Sequence, residues 1–269
     1  MIEKFNFHTH TQFCDAKCTA EEIVVSAIEK NVAMLGFSGH SYTSFDTVPC
    51  MSANGTKEYR KEIARLKEKY SDKIKIYLGI EQDYYADFKA EDYDFIIGSV
   101  HYVKKNGELY QVDAKYEKFL NNLKFGWNND IYALAEDYFS SFADIIEKTN
   151  ADIIGHFDIL KKYNKDGSLF NENDVRYVSA YEKALKILCE KNAVFEINMG
   201  GIARGYTDVP YPSEQILKKI YELGGKVTIS SDCHRAEHID FGFYDGLAIA
   251  KKCGFKSIVN PITKENIII

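Results

Sequence analysis

Proline and tryptophan are scarce: four prolines and one tryptophan in 269 residues. The prolines fall in expected loops, so nothing interrupts the helical segments between them. Repeats, low-complexity tracts and linker-like stretches are missing as well, and one domain over residues 1–269 is expected. Apolar runs of about eighteen residues, the length of a membrane span, do not occur. The opening Met1-Ile2-Glu3-Lys4 places an acid where a signal peptide would begin its apolar segment, so the chain reads as cytoplasmic. Six cysteines at 14, 18, 50, 189, 233 and 253 form no CxxC pair, the pattern of reduced thiols. Positive charge is also in deficit: 34 Lys and Arg against 40 Asp and Glu, spread along the chain, argue against nucleic acid as a partner.

What is present alternates. Short β-branched and aromatic runs at 5–7, 33–37, 74–80, 95–100, 153–154, 194–197, 227–229 and, weakly, 257–259 are separated by segments of helical period. The pattern predicts seven or eight βα units around a parallel sheet, with a length matching an α/β barrel. A first helix should start at Thr19, where Glu22 three residues on completes a capping box. Further helices are expected near 57–70, 130–148, 173–191, 213–223 and 244–253. Residues 102–129 exceed an ordinary βα connection and are expected to form a lid.

Histidine carries the chemistry. Of seven histidines, His8, His10, His40, His101, His156 and His234 stand at or just past the C-terminal ends of the apolar runs, while His238 does not and reads as an ordinary surface residue. Asp15, Glu81 and Asp232 share those positions, on the barrel face where active sites form. His8 with His10, and Asp232 with His234, are two apart, so strand periodicity points each pair to one face. These N and O donors outnumber what one zinc or manganese ion takes, which predicts two or three ions. The few arginines include Arg204, in a Gly-containing loop after a strand, and Arg235, beside His234; both are expected to bind phosphate in bidentate fashion.

Phe7-His8-Thr9-His10, Gly39-His40-Ser41, Gly79-Ile80-Glu81, Gly98-Ser99-Val100-His101, Gly155-His156-Phe157-Asp158 and Ser231-Asp232-Cys233-His234 resemble, in order, the metal motifs of the polymerase and histidinol phosphatase (PHP) superfamily. Length and spacing are most similar to its histidinol-phosphate phosphatases. The resemblance implies a distorted (β/α)7 barrel with a cluster of manganese, iron or zinc. It assigns His8, His10, Glu81 and Asp232 to a first ion, with Glu81 bridging to a second held by His101 and His156, and Asp15, His40 and His234 to a third. Where many relatives have histidine, this chain has Asp15, whose oxygen favours harder ions such as manganese.

The implied activity is hydrolysis of L-histidinol phosphate to L-histidinol and phosphate in histidine biosynthesis, by attack of a metal-bridging hydroxide. Glu81 and Asp232 serve the cluster, and Asp158, two residues past His156, is the expected acid for the leaving group. The cluster's surplus positive charge matches a phosphate monoester dianion. Three other readings compete. A related phosphoesterase would act on nucleotides. An amidohydrolase-like barrel would use a lysine bridge where this chain has Glu81. A non-enzymatic metal-dependent module would not need the full ligand set.

Overall fold

The computed structural model describes residues 2–269. In chain order the strands are β1 (Lys4–Asn6), β2 (Val32–Phe37), β3 (Lys75–Asp83), β4 (Phe95–Ser99), β5 (Tyr102–Lys105), β6 (Glu108–Gln111), β7 (Ile153–Ile154), β8 (Val194–Asn198), β9 (Lys226–Ser230), β10 (Ser257–Val259) and β11 (Asn266–Ile268). The helices are α1 (Ala20–Glu29), α2 (Ala53–Lys69), α3 (Tyr116–Trp127), α4 (Ile131–Ser140), α5 (Ile145–Thr149), α6 (Val175–Glu190), α7 (Gly200–Ala203), α8 (Glu214–Glu222) and α9 (Phe243–Lys252).

Seven strands form one parallel sheet in the order β1-β2-β3-β4-β7-β8-β9. Just past β1 and β9 the sheet curls back on itself: Thr9 bridges Cys233, with His10 N donating to Cys233 O at 2.8 Å and Cys233 N to His8 O at 3.0 Å. The result is a nearly closed seven-stranded barrel, the architecture the motif resemblance implies. Rings make up much of the core: Phe7 of the β1 end packs edge-on against Phe95 of β4 at 5.4 Å between centroids, and Phe5 of β1 packs likewise against Phe243 of helix α9. Gly79 makes room for this packing, since a Cβ there would lie 2.2 Å from the Phe95 ring.

Helix α1 begins with the expected capping box: Glu22 N donates to Thr19 Oγ1 and Thr19 N to Glu22 Oε2. Three expectations are corrected. The long helix over 130–148 divides into α4, a 3-10 turn at 141–143 and α5; Ser140 and Ser141 hydroxyls both donate to Asp137 O, a local bonding that competes with helix continuation. The eighth run at 257–259 is no barrel strand but pairs antiparallel with β11. Residues 102–129 are the β5–β6 hairpin followed by α3, with Tyr102, Val103, Val112, Phe119, Leu123 and Trp127 buried, so this segment is built into the wall of the barrel mouth. All six cysteines are free thiols, and no helix among the described residues is long and apolar enough to cross a membrane.

Candidate metal centre

The site is built by extending the barrel ladders past the strand ends. Ser38 N donates to Thr9 O, Glu81 N to Gly39 O and Ser41 N to Glu81 O, so the backbones carrying His8, His10, His40 and Glu81 are locked in sheet register. Alternation then turns His8 and His10 inward, and both are wholly buried. Asp232 adopts a left-handed φ of 47°, uncommon for any residue but glycine and tolerated by Asp. Its side chain lies so close to α7 that a Cβ on Gly200 would come within 2.6 Å of Asp232 Cβ.

Glu81 is the hub. Its Oε2 lies 3.4 Å from His8 Nε2, 3.6 Å from His10 Nε2 and 2.9 Å from His40 Nδ1, and its Oε1 lies 2.9 Å from His156 Nε2 and 3.3 Å from His101 Nε2. Asp232 Oδ1 faces His10 Nε2 at 3.3 Å and His8 Nε2 at 3.7 Å. Asp15 lies to one side, 3.3 Å from His234 Nε2 and 3.7 Å from His40 Nε2, while the His234 and His10 rings stack at 4.0 Å. Donor atoms gather in three overlapping sets: His8, His10 and Asp232; His40, Glu81 and His101; and His10, Asp15, His40 and His234. All six strand-end histidines and all three carboxylates are thus brought together. His40 joins two sets, its Nδ1 facing Glu81 and its Nε2 facing Asp15.

The donor atoms are those a cation would require. His8 Nε2, His10 Nε2 and Glu81 Oε2, which face one another, are buried without a hydrogen-bond partner, a costly arrangement in a folded protein. Burial opposes ionisation of Glu81, yet the charges of His40, His8 and His101 hold its carboxyl well below the usual range; Asp232 is held low likewise, by Arg204 and His8. Burial, with His234 and His40 nearby, drops His10 to about 3, leaving it neutral with a free lone pair. His8, His40 and His101 go the other way: the carboxylates around them outweigh burial and raise them well above the ordinary imidazole value.

A second layer escapes the strand-end search. Glu196 Oε2 accepts from His8 Nδ1 at 2.8 Å and from Ser230 Oγ at 2.6 Å; its Oε1 accepts from Asn198 Nδ2 at 2.8 Å and His156 N at 2.6 Å. Asp83 Oδ2 lies 3.1 Å from His101 Nδ1. Their signal was period two: Asp83 follows Glu81, and Glu196 precedes Asn198, on the same strand face.

The centre opens into a cavity of about 500 Å³. Arg204 and Arg235 both line it, in unlike ways. Arg204 donates through Nη2 to Asp232 Oδ2 at 2.8 Å and through Nη1 to Asp232 O at 3.2 Å, with Nη1 also 2.8 Å from His234 Nδ1. Arg235 is half exposed at the margin, 3.4 Å from Glu237. Lys162, Asp113, Tyr206, Tyr211 and His238 also line the cavity, so His238 belongs to its rim after all. Asp158 does not line it. Its Oδ2 accepts from Ser213 N at 3.0 Å and lies 3.5 Å from Lys161 Nζ, and burial raises its pKa; the peptide after His156 turns into a 3-10 helix instead of continuing the strand alternation that aimed Asp158 at the site.

Residues 6–200 match the PHP domain family. Two full-length relatives are a probable histidinol-phosphatase of Schizosaccharomyces pombe, 26% identical, covering 93% of this chain and 87% of that protein, and a histidinol-phosphatase of Lactococcus lactis, 26% identical, covering 96% and 94%. Among solved structures, a putative histidinol phosphatase from Listeria monocytogenes superposes with a TM-score of 0.79 at 19% identity, covering 90% of this chain and 99% of that one. The Lactococcus lactis histidinol phosphate phosphatase, solved with zinc, L-histidinol and phosphate, gives 0.76 at 23% identity, covering 99% and 100%.

Proposed function

The chain belongs to the PHP domain family, and from that membership we propose that it is a metal-dependent histidinol-phosphate phosphatase, releasing L-histidinol and inorganic phosphate. The observation that carries the reading is the burial, at one barrel mouth, of His8 Nε2, His10 Nε2 and Glu81 Oε2, unpartnered and aimed at one another. Likeness over more than nine-tenths of the chain to relatives named histidinol-phosphatase supports the substrate.

In this reading His8, His10, Asp15, His40, Glu81, His101, His156, Asp232 and His234 hold two or three divalent ions of manganese, iron or zinc. Such ions supply Lewis acidity toward phosphoryl oxygens and lower the pKa of bound water. The protein's own part is positioning. Glu81, locked in ladder register, turns Oε2 toward His8, His10 and His40 and Oε1 toward His101 and His156, so it would be shared between ions held by the two groups. Arg204 holds Asp232 and the His234 ring in place, and its remaining N–H donors meet phosphate oxygens from the cavity side. Lys17, Lys162, Arg204 and Arg235 offset the four carboxylates of the lining, and the divalent ions would supply the positive surplus that draws an anion although the chain's net charge is −6.

No side chain needs to carry the phosphoryl group. The test compares kcat/KM on L-histidinol phosphate with that on nucleoside monophosphates. The reading predicts at least about a hundredfold preference for the former, equivalent to roughly 2.7 kcal/mol of transition-state binding. Faster turnover of nucleotides would favour the rival phosphoesterase.

A further inference from the structure

Four carboxylates line the cavity: Asp15, Glu81, Asp113 and Asp232. Three of them belong to the ion-holding set, and Asp113 to none of the metal-capable groups. Its backbone is fixed from several sides: Val112 N donates to His101 O at 2.8 Å, Lys162 Nζ to Asp113 O at 2.7 Å and Tyr163 Oη to Ala114 O at 2.7 Å. Val112 and Ala114 are buried on either side of it.

The Asp113 carboxylate itself is nearly unengaged. Among the described residues only Gln111 Nε2 donates to it, at 3.2 Å, and no Lys or Arg nitrogen lies within 4.0 Å. The ammonium of Lys162 goes to the Asp113 carbonyl and lies 4.5 Å from the Tyr206 ring centroid. Nor does Asp113 cap α3, whose N-cap is Lys115 with no side-chain cap bond. Against the burial that opposes its ionisation, the charges of His101 and Lys162 are near enough to hold the Asp113 carboxyl below its ordinary range, but neither makes a direct ion pair with it, so a carboxylate fixed in the cavity wall keeps its oxygens open to a cationic group of a ligand. Tyr206 and Tyr211 line the same cavity, the latter with a buried hydroxyl that has no partner.

We propose that Asp113 receives the protonated amine of the alcohol being released, and so selects phosphate esters that carry an ammonium group close to the ester oxygen. The inference rests on the histidinol-phosphate reading, in which that amine lies one carbon beyond the phosphorylated methylene. The phosphate then faces the ions and Arg204 while the amine faces Asp113, whose carboxylate feels the charges of His101, His156 and His40 at the edge of the ion-holding set.

The experiment pairs Asp113→Asn with two esters, L-histidinol phosphate and the same compound lacking the amine. Wild type should prefer the amine-bearing ester. The variant should lose about 10- to 100-fold in kcat/KM on that ester, the worth of one hydrogen bond to a charged group, and less than about threefold on the other. Equal losses on both esters, or a wild type indifferent to the amine, overturn the contact. If wild type hydrolyses neither ester while cleaving another monoester, the substrate reading itself has failed. Product inhibition of wild type is an independent check should the variant not fold: L-histidinol must inhibit at least about tenfold more strongly than its deaminated analogue, and equal inhibition refutes the proposal.

Discussion

Glu196→Gln separates positioning from ligation. The carboxylate gathers four donors: Ser230 Oγ on Oε2, Asn198 Nδ2 and His156 N on Oε1, and His8 Nδ1 between the two, at 2.8 Å from Oε2 and 3.1 Å from Oε1. An amide nitrogen in the Oε1 position would face the His156 N–H, which cannot reverse, and Asn198, whose own oxygen is engaged by Gly200 N at 2.9 Å. The amide therefore takes the Oε2 position, where the Ser230 hydroxyl can rotate to accept. His8 Nδ1 then faces an amide N–H at the shorter distance and keeps only the longer 3.1 Å contact to Oε1, which is already shared with two other donors; this weakens the hold on the Nδ1 proton and favours the tautomer protonated at Nε2, the atom aimed at Glu81 and Asp232. Losing that outer-layer partner typically costs 10- to 100-fold in metal affinity, about 1.4–2.7 kcal/mol. The assay is competition between metal-depleted variant and a chelator of known affinity, followed by activity at saturating metal. The variant should bind metal more weakly yet regain much of its turnover when loaded; wild-type affinity in a folded variant would refute the tautomer argument.

Two further outcomes follow from the same geometry. Glu81→Ala should leave a folded barrel by circular dichroism and abolish phosphate release, because both of its oxygens sit between opposing histidines; near wild-type rates would move the hub elsewhere. Because His8, His40 and His101 are raised above the ordinary value, the metal-free protein holds protons on them at neutral pH, and stabilisation from those charged pairs persists below about pH 6.5 and fades as pH rises through the raised values. Binding a divalent ion must release those protons, so apparent metal affinity should climb with pH; calorimetry in buffers of differing ionisation enthalpy measures the release, and none at pH 7 would contradict the assignment.

The strand-end histidines were legible because a ligand at the end of a parallel strand carries two signals at once, the apolar run before it and the period of two within it. His8 with His10 shows both; Asp232 with His234 reaches the site as expected but not by strand alternation, since β9 ends at Ser230 and Asp232 sits in a left-handed turn. Glu196 and Asp83 carried the same periodicity but lay inside or just past strands where a buried acid reads as an exception, and only the imidazole each one faces explains it. Asp113 had no local signal, since it reaches the cavity through a hairpin and helix that replace an ordinary βα loop. Asp158 failed for the reverse reason: strand alternation was extended one step beyond a strand of two residues, and the backbone had already turned. His238 is brought to the rim by the 3-10 turn that follows His234, a local geometry with no periodic trace.

The strand-end histidines and carboxylates converge in a geometry suited to hold catalytic cations. Metal analysis of the purified protein, with phosphate release from L-histidinol phosphate measured before chelation, after it and after restoring manganese or zinc, tests this most directly. Two or three bound ions per chain, activity lost with them and regained on their return, is the predicted result. Undiminished activity in thoroughly metal-depleted protein would contradict it.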